Sequence, residues 1–268
     1  MRDSFGWVDL VEPDENLGFG QGVNLVAERA GGDWIAPANA DIEFAPDALA
    51  RLVEAGERDP EAGAVAPRLI LPDGSTQHSV HAFPTPSLAL TLALGAPGLS
   101  RGLAERLCLE GAWDPERGRY VDWAHGALLL VRRDAWDDIG GFDAEQWMYA
   151  EDIDLAWRLR QKGLRVLYEP EARVKHAVSA ATTKAFGDAG RERRHIAASY
   201  AWMLRRQGAF ATRVAAAGNF GGAALRAAFY GLLSPFGARF RERRGQYLRY
   251  ARRHRLGLRS KAKILRAA

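Results

Sequence analysis

The chain has 268 residues, of which 47% are hydrophobic, and its 37 Lys and Arg against 33 Asp and Glu give a formal net charge of +4. This length and composition allow a sizeable buried core, which excludes a disordered protein and leaves one or two domains open. The single cysteine, Cys108, excludes an internal disulfide and fits a reducing, cytoplasmic compartment.

The first recognisable element is a glycine-rich segment at 16–24, with glycines at 18, 20 and 22. Glycines let a backbone turn tightly and approach a ligand closely, and the apolar run that follows predicts a helix packed on a sheet. The spacing lacks the third glycine of the dinucleotide-binding fingerprint, and a plain turn is the alternative. The residues before this segment contain no apolar stretch typical of a signal peptide.

Asp41 ends a short apolar segment that predicts a buried parallel strand. Its carboxylate would then lie at the edge of the sheet where open α/β folds bind ligands, so Asp41 is a candidate metal ligand. An ordinary turn residue is the alternative.

A helix is predicted from 151 to about 162. Its apolar residues recur at three- and four-residue spacing and are Ile153, Ala156, Trp157 and Leu159. Gly163 follows as a stop signal, so Glu151 and Asp152 lie in the first turn. These carboxylates either cap the helix, or one of them has its pKa raised by like charges and serves as a general base. His176, at the end of the next predicted strand, is either a ligand or a histidine bonded to backbone.

The C-terminal part is strongly basic. From Arg191 onward there are 19 Lys and Arg against 2 Asp and Glu, or +17, whereas the preceding 190 residues carry 18 against 31, or −13. Basic residues alternate with aromatic and aliphatic ones, which predicts amphipathic helices drawn to anionic lipid headgroups. A solvated face packed on the rest of the chain is the alternative. A nucleic-acid-binding patch is a third interpretation, supported by the number of basic residues but by no recognised binding module. No span of the bilayer is predicted, because the best run, 209–236, contains arginines.

Six motifs follow one another along the chain. They are 16–24; 39–41; Gly126-Ala127 with Arg132-Arg133; 140–143; 149–155 with Arg158; and Tyr168, Pro170 and 174–176. In this order they resemble glycosyltransferase family 2, and within it the bacterial rhamnosyltransferase-like branch. The resemblance covers about residues 8–183.

The resemblance implies a GT-A fold, which is a Rossmann-like, mostly parallel α/β sheet flanked by helices. We expect residues 1–185 to form a partial catalytic domain and 186–268 a basic, amphipathic helical region. Family members begin with a strand, helix and strand that recognise the base and ribose. Such a unit of about 30 residues has no room before residue 8, so the chain is expected to be truncated at its N-terminus.

The resemblance also implies roles for individual residues. Asp41 and His176 would bind Mg²⁺ or Mn²⁺ against the donor diphosphate, with Asn39 standing where the family often has a second Asp. Asp152 would take the proton from the acceptor hydroxyl, supported by Glu151. The expected donor- and acceptor-binding residues are Asn16, Gly18, Gly20, Asn24, Asn39, Trp123, Gly126, Tyr149, Asp154 and Arg158. Aromatic candidates for stacking on sugar rings are Trp123, Trp147 and Tyr149, with core packing as the alternative.

The function implied is an inverting, metal-dependent hexosyltransferase. It would move a sugar, such as rhamnose, from a nucleotide-sugar donor to a lipid-linked or cell-surface glycan acceptor. The basic region would hold it peripherally on an anionic membrane surface, at the inner face of the cell membrane, and no nucleic-acid partner is expected. The alternative is a non-catalytic relic, or a subunit of a split enzyme, that binds the acceptor or the membrane.

Overall fold

The structure, a computed structural model, describes residues 5–146, 148–177 and 180–268, with the backbone alone at 180–189. The predicted stacking residue Trp147 lies outside them. The strands are β1 (Trp34–Ile35), β2 (Ile42–Phe44), β3 (Ala62–Ile70), β4 (Val80–His81), β5 (Arg119–Val121), β6 (Trp123–Ala124), β7 (Leu130–Arg132) and β8 (Arg165–His176). The helices are α1 (Gly18–Ala27), α2 (Ala48–Arg58), α3 (Pro86–Ala93), α4 (Ala96–Leu99), α5 (Arg101–Arg106), α6 (Arg133–Ile139), α7 (Glu151–Gln161), α8 (Ala180–Arg206), α9 (Gly208–Leu233), α10 (Ala238–His254) and α11 (Lys261–Leu265).

The central sheet has the order β1-β7-β3-β8-β2, with β5 also paired to β8, and a small second sheet joins β4 to β6. Among the described strands, only β3 and β8 pair in parallel. The predicted α/β fold class is confirmed, but the sheet is mixed rather than mostly parallel. Parallel neighbours need a long crossover connection, and only the long strands β3 and β8, separated by residues 71–164, pair in this way.

The sheet lies between two helical layers. Alternate residues of β3 point to opposite faces, so Val65 and Leu69 join one hydrophobic cluster while Ala64 and Ala66 join the other. The residues of α2 on the first face are Ala48, Leu52 and Ala55, and those of α7 on the second face are Ile153, Ala156 and Leu159. The predicted helix after residue 150 is therefore confirmed, and it ends before Gly163, which has a φ of +81°.

Two local predictions near the N-terminus are wrong. The segment before Asp41 forms the two-residue β1, antiparallel to β7, and Asp41 lies in the turn before β2. The glycine-rich segment is the first part of α1 rather than a turn, with only Gly18 at a positive φ, +73°. Gly20 serves close packing, because a Cβ there would lie 3.0 Å from Cβ of Phe142.

The C-terminal region is helical, as predicted. Tyr200 and Trp202 of α8 are buried in the same cluster as α7, and α9 approaches α3 closely at Gly218 and Gly222. The predicted domain boundary at 185/186 falls where α8 is described by its backbone alone, so it stays a prediction. In the part of the chain that the structure describes, no helix is long and apolar enough to cross a membrane.

Candidate active site

The start of α7 holds two carboxyl groups side by side. Oδ1 of Asp152 accepts a hydrogen bond from the N–H of Ile153 at 2.8 Å, and its Oδ2 accepts one from the N–H of Gly126 at 3.1 Å. Oε2 of Glu151 accepts a hydrogen bond from the N–H of Ala150 at 2.9 Å. Backbone donors and the positive end of the helix dipole therefore orient both carboxyl groups.

Both carboxyl groups have raised pKa values. Burial raises the pKa of Glu151 to about 7, and the adjacent charge of Asp152 adds to the rise. Burial also raises the pKa of Asp152, while the N–H groups of Gly126 and Ile153 and the nearby His195 act in the opposite direction. The sequence predicts a raised pKa among like charges, and burial proves to be the larger cause. A carboxyl group whose pKa is raised is a stronger proton acceptor once ionised, which suits general base catalysis.

Helix α8 brings His195 to this carboxyl pair. His195, Trp202 and Arg206 recur at intervals of seven and four residues, so they share one face of α8. The ring centroids of His195 and Tyr149 lie 5.9 Å apart, and Tyr149 has a left-handed backbone with a φ of 71°. A non-glycine residue adopts this backbone at an energetic cost, and such residues concentrate at functional sites. His195 is not predicted from the sequence, because nothing in the local residue pattern distinguishes it from a solvated helical position.

Asp41 and His176 lie together at one end of the sheet. Strands β2 and β8 pair with Ile42 opposite His176, and Oδ1 of Asp41 lies 3.5 Å from Nε2 of His176. His176 is 7% exposed, and its Nε2 is buried with no hydrogen-bond partner among the described residues. Its other ring nitrogen, Nδ1, lies 2.8 Å from Oε1 of Gln77. The structure thus brings together the two predicted metal ligands.

The donor set of this pair fits a divalent cation. A carboxylate oxygen suits Mg²⁺ and Mn²⁺, and an imidazole nitrogen is better tolerated by Mn²⁺. Burial lowers the pKa of His176, against the opposing charge of Asp41, which favours the neutral ring that a metal requires. Across residues 5–146, 148–177 and 190–268, no group of three or more His, Cys, Asp or Glu side chains could hold a metal ion. Asp41 and His176 would therefore share a cation with ligand or water oxygens.

Segment 125–128 connects the two halves of the site. The N–H of Asn39, in the loop that leads to the candidate metal ligand, donates to the carbonyl of Ala127 at 2.9 Å. The N–H of Gly126, in the same segment, holds the carboxylate of Asp152. One short stretch of backbone therefore fixes the position of the candidate base relative to the candidate metal site.

The side chains of Gln77, His125 and His81 contact one another in that order, and His125 belongs to segment 125–128. Nε2 of Gln77 lies 3.4 Å from Nδ1 of His125, and Nε2 of His125 lies 3.1 Å from Nε2 of His81. Burial lowers the pKa of His125 to about 3 and that of His81 still further, so both rings are neutral at physiological pH. These residues were missed because only contacts distant in sequence bring them together.

Several predicted ligand-binding residues have partners within the protein. Trp123 is 5% exposed, and its indole N–H donates to a backbone carbonyl at 3.0 Å. The side chain of Asn24 donates to the carbonyl of Phe142 at 2.8 Å and accepts from its N–H at 2.9 Å. Oδ1 of Asn16 accepts from the N–H of Gly18 at 3.0 Å. These contacts explain the residues as packing and capping positions, and their part in ligand binding stays a prediction.

Asp154 and Arg158 join α7 to its neighbours. Asp154 is fully buried, and its carboxylate accepts hydrogen bonds from Nε of Arg158 at 2.6 Å, Nε of Arg206 at 2.6 Å and Nε1 of Trp202 at 3.1 Å. Arg158 also donates to the carbonyl of Ile139 at 2.7 Å. This network anchors α8 on α7, and a direct role of the two residues toward a ligand stays a prediction.

The sequence is similar to known sugar transferases. The family model described as "Glycosyltransferase like family 2" matches residues 11–200. An N-acetylglucosaminyl-diphospho-decaprenol L-rhamnosyltransferase of Mycobacterium tuberculosis is 35% identical over 180 residues, which are 63% of this chain and 58% of that protein. The rhamnosyltransferase WbbL of Escherichia coli is 33% identical over 87 residues, 32% of each chain. The chain thus spans well under two thirds of the length of these relatives.

Two solved structures share the fold. The mannosyltransferase PcManGT from Pyrobaculum calidifontis, in complex with GDP-Man and Mn²⁺, has a TM-score of 0.50 at 20% identity, covering 92% of this chain and 68% of its own. GalNAc-T7 with UDP, GalNAc and Mn²⁺ has a TM-score of 0.50 at 14% identity, covering 92% of this chain and 44% of its own. At these identities the similarity supports the fold.

Proposed function

This chain belongs to glycosyltransferase-like family 2, and from that premise we propose that it transfers a sugar from a nucleoside-diphosphate sugar to a hydroxyl group of a glycan acceptor, with inversion at the anomeric carbon. Similarity to two rhamnosyltransferases favours rhamnose as the sugar. The name of one relative, which acts on a diphospho-decaprenol-linked sugar, favours a lipid-linked acceptor. The observation that carries the proposal is that segment 125–128 contacts both the loop of Asp41 and the carboxylate of Asp152.

Asp152 is the proposed general base. Its two oxygens are oriented by the N–H groups of Gly126 and Ile153, and its raised pKa strengthens it as a proton acceptor. Removal of the proton from an acceptor hydroxyl leaves an oxygen nucleophile that attacks the anomeric carbon on the face opposite the leaving diphosphate. Inversion is the result of this single displacement. Glu151 supports the base through its charge.

Asp41 and His176 are the proposed cation ligands. A bound Mg²⁺ or Mn²⁺ would supply positive charge for the diphosphate that departs. The two side chains fit this role because the buried Nε2 of His176 has no other partner in the described chain and faces the carboxylate of Asp41. The Mn²⁺ in both structural neighbours is consistent with this choice.

The C-terminal helices provide the proposed membrane contact. Leu225, Phe229 and Leu232 recur at four- and three-residue intervals along α9, so they form one stripe, and each is between 58% and 78% exposed. Phe236, which is 77% exposed, follows in the 3-10 turn just after α9. Arg226 donates to the carbonyls of Leu92 and Ala93, which brings the end of α3, and with it Leu94 at 82% exposure, close to this stripe. Helix α10 adds seven arginines against one glutamate. Exposed apolar side chains beside basic ones are typical of helices that lie on anionic lipid.

The activity can be tested with the full chain. The donor is a nucleoside-diphosphate rhamnose, and the acceptor is N-acetylglucosamine linked through diphosphate to a polyprenol. We expect release of nucleoside diphosphate together with a glycosylated lipid in the presence of Mg²⁺ or Mn²⁺. A panel of other nucleotide sugars separates a wrong sugar from a wrong reaction. Absence of transfer above the Asp152→Asn background with every donor would favour a non-catalytic binding protein instead.

A further inference from the structure

We propose that Gln77 is a positioning residue that fixes the ring orientation and tautomer of His176, so that the Nε2 lone pair is presented to a divalent cation beside Asp41. The proposal rests on the proposed function in one respect, because it takes Asp41 and His176 as the cation ligands. It concerns a residue that contacts neither the sugar nor the cation and acts through His176.

The hydrogen-bonding chemistry of the amide determines the tautomer. Oε1 of Gln77 lies 2.8 Å from Nδ1 of His176, and an amide oxygen can only accept a hydrogen bond. The hydrogen of the neutral ring is therefore on Nδ1, which leaves a lone pair on Nε2. The backbone also holds Gln77 in place, because its N–H donates to the carbonyl of Leu69 in β3 at 2.8 Å.

The surroundings of Nε2 suit a bound cation. In this tautomer, two electron-rich atoms, Nε2 of His176 and Oδ1 of Asp41, face each other 3.5 Å apart. Nε2 is buried and has no donor near it in the described chain. Leaving a buried polar atom unpaired costs free energy, and a cation shared by the two atoms would remove that cost.

The amide nitrogen of Gln77 contacts His125, which belongs to the segment that holds the candidate base. Nε2 of Gln77 lies 3.4 Å from Nδ1 of His125, so the amide N–H group can donate to that ring. A ring that accepts at Nδ1 carries its hydrogen on Nε2, which lies 3.1 Å from Nε2 of His81. In this orientation of the amide, the oxygen of Gln77 accepts from His176 and its N–H group donates to His125. Gly126, next to His125, holds the carboxylate of Asp152.

The test compares Gln77→Ala and Gln77→Glu with the wild-type chain. Mn²⁺ alone is titrated, and the paramagnetic broadening of the His176 ring resonances, assigned from their loss in His176→Asn, reports binding at this site even when it is weak. We expect Gln77→Ala to weaken Mn²⁺ binding by about 10- to 100-fold, the range found when the outer partner of a ligating histidine is removed. Gln77→Glu keeps an acceptor for Nδ1–H, so its affinity should stay within a few-fold of wild type. Gln246→Ala, at an exposed glutamine of α10, is the matched control.

A second measurement does not depend on the metal. Long-range ¹H–¹⁵N spectra of the imidazole ring distinguish the two tautomers, and we expect the Nδ1–H form for His176 in wild type and Gln77→Glu, and a mixture in Gln77→Ala. If wild type binds Mn²⁺ and Gln77→Ala binds it equally well, the role of Gln77 is wrong and the cation site stands. If wild type shows no broadening, the cation site is wrong, and an Nε2–H tautomer in wild type would overturn the role of Gln77 by itself.

Discussion

Asp152 is the residue on which the proposed chemistry depends most directly. Asp152→Asn keeps the size of the side chain and an oxygen that can accept one of the two backbone hydrogen bonds, but it removes the proton acceptor. We expect the rate of transfer to fall by about 10²- to 10⁴-fold, the usual contribution of a general base. Thermal unfolding should change little by comparison. Turnover within a few-fold of wild type, measured under saturating donor and acceptor, would exclude Asp152 as the base.

Glu151 should set the pH range of the reaction. Burial and the charge of Asp152 raise the pKa of Glu151 to about 7, so the pair still holds a proton at neutral pH. Activity needs Asp152 ionised, so kcat/KM should have an acid limb where that carboxyl group, whose pKa burial raises, takes up a proton. Glu151→Gln removes a like charge beside Asp152 and lowers the pKa of that carboxyl, which should move the acid limb of kcat/KM to lower pH. An unchanged acid limb would show that Glu151 is not coupled to the base.

The same residue predicts an effect on stability with a defined sign. A carboxyl whose pKa is raised on folding binds more protons in the folded than in the unfolded state between pH 4.5 and about 7, so the wild-type chain loses stability as pH rises through that window. The Glu151→Gln variant has no such carboxyl group, so it should not lose this stability as pH rises. Its melting temperature should exceed that of wild type at pH 8 and approach it at pH 5. The exposed Glu242→Gln on α10 is the control, and an equal difference at both pH values would contradict the prediction.

Among the elements, the junction of α7 with α8 rests on the buried carboxylate of Asp154. Asp154→Ala leaves the partly buried guanidinium of Arg158 without its carboxylate and that of Arg206 with Asp143 alone, and the breaking of a buried ion pair costs about 3–5 kcal/mol. We expect a loss of that size in the free energy of unfolding by urea. Glu145 forms an ion pair with Arg205, and the side chain of Glu145 is 70% exposed. Glu145→Ala should therefore lower the free energy of unfolding by less than about 1 kcal/mol. Equal losses in the two variants would contradict this role of Asp154.

The elements also differ in how well the sequence predicts them. Helix α7 and the strand ending at His176 follow from residue patterns within single segments, and both are confirmed. The sequence resemblance names Asp41 and His176 together, and the structure brings them within 3.5 Å of each other. Strands β1, β2 and β7 have only two or three residues, too few for a periodic pattern, so their antiparallel pairing could not be predicted.

Contacts between distant segments limited the prediction of the site. Gln77, His125 and His195 belong to three segments with no shared motif, and only the folded chain brings them to the base and the cation ligands. Asn24 and Trp123 were expected at the ligand, but each satisfies its polar groups on the backbone of a neighbouring segment. A sequence motif marks which residues are distinctive, and it does not say whether they contact a ligand or one another.

At the scale of the whole molecule, the uneven distribution of charge predicts a salt-dependent membrane contact. We expect the full chain to sediment with phosphatidylglycerol vesicles and not with phosphatidylcholine vesicles at low salt. Binding should weaken as salt shortens the range of electrostatic attraction to about 8–10 Å. A weaker, salt-resistant binding due to insertion of apolar side chains should remain. The double variant Phe229→Ser with Leu232→Ser should abolish this salt-resistant binding.

The matched control for this experiment is Phe44→Ser with Val26→Ser, two exposed apolar positions outside the C-terminal helices. It should bind vesicles like wild type at every salt concentration. Equal sedimentation of the stripe variant and the control variant at high salt would reject α9 as the membrane-facing helix. Tight binding to DNA without preference for vesicles would reject a lipid partner for the basic region.

The burial of Asp154 also limits how this chain can be recombined with its relatives. Similarity to the family model ends at residue 200, whereas Trp202 and Arg206, which hold the carboxylate of Asp154, lie just beyond that point. A chimera joined at the end of the family match would pair the α7 and His195 of one parent with the anchoring residues Trp202 and Arg206 of another. Exchange of the C-terminal region between family members should therefore preserve the active site only when the joint follows Arg206, at the short connection before α9.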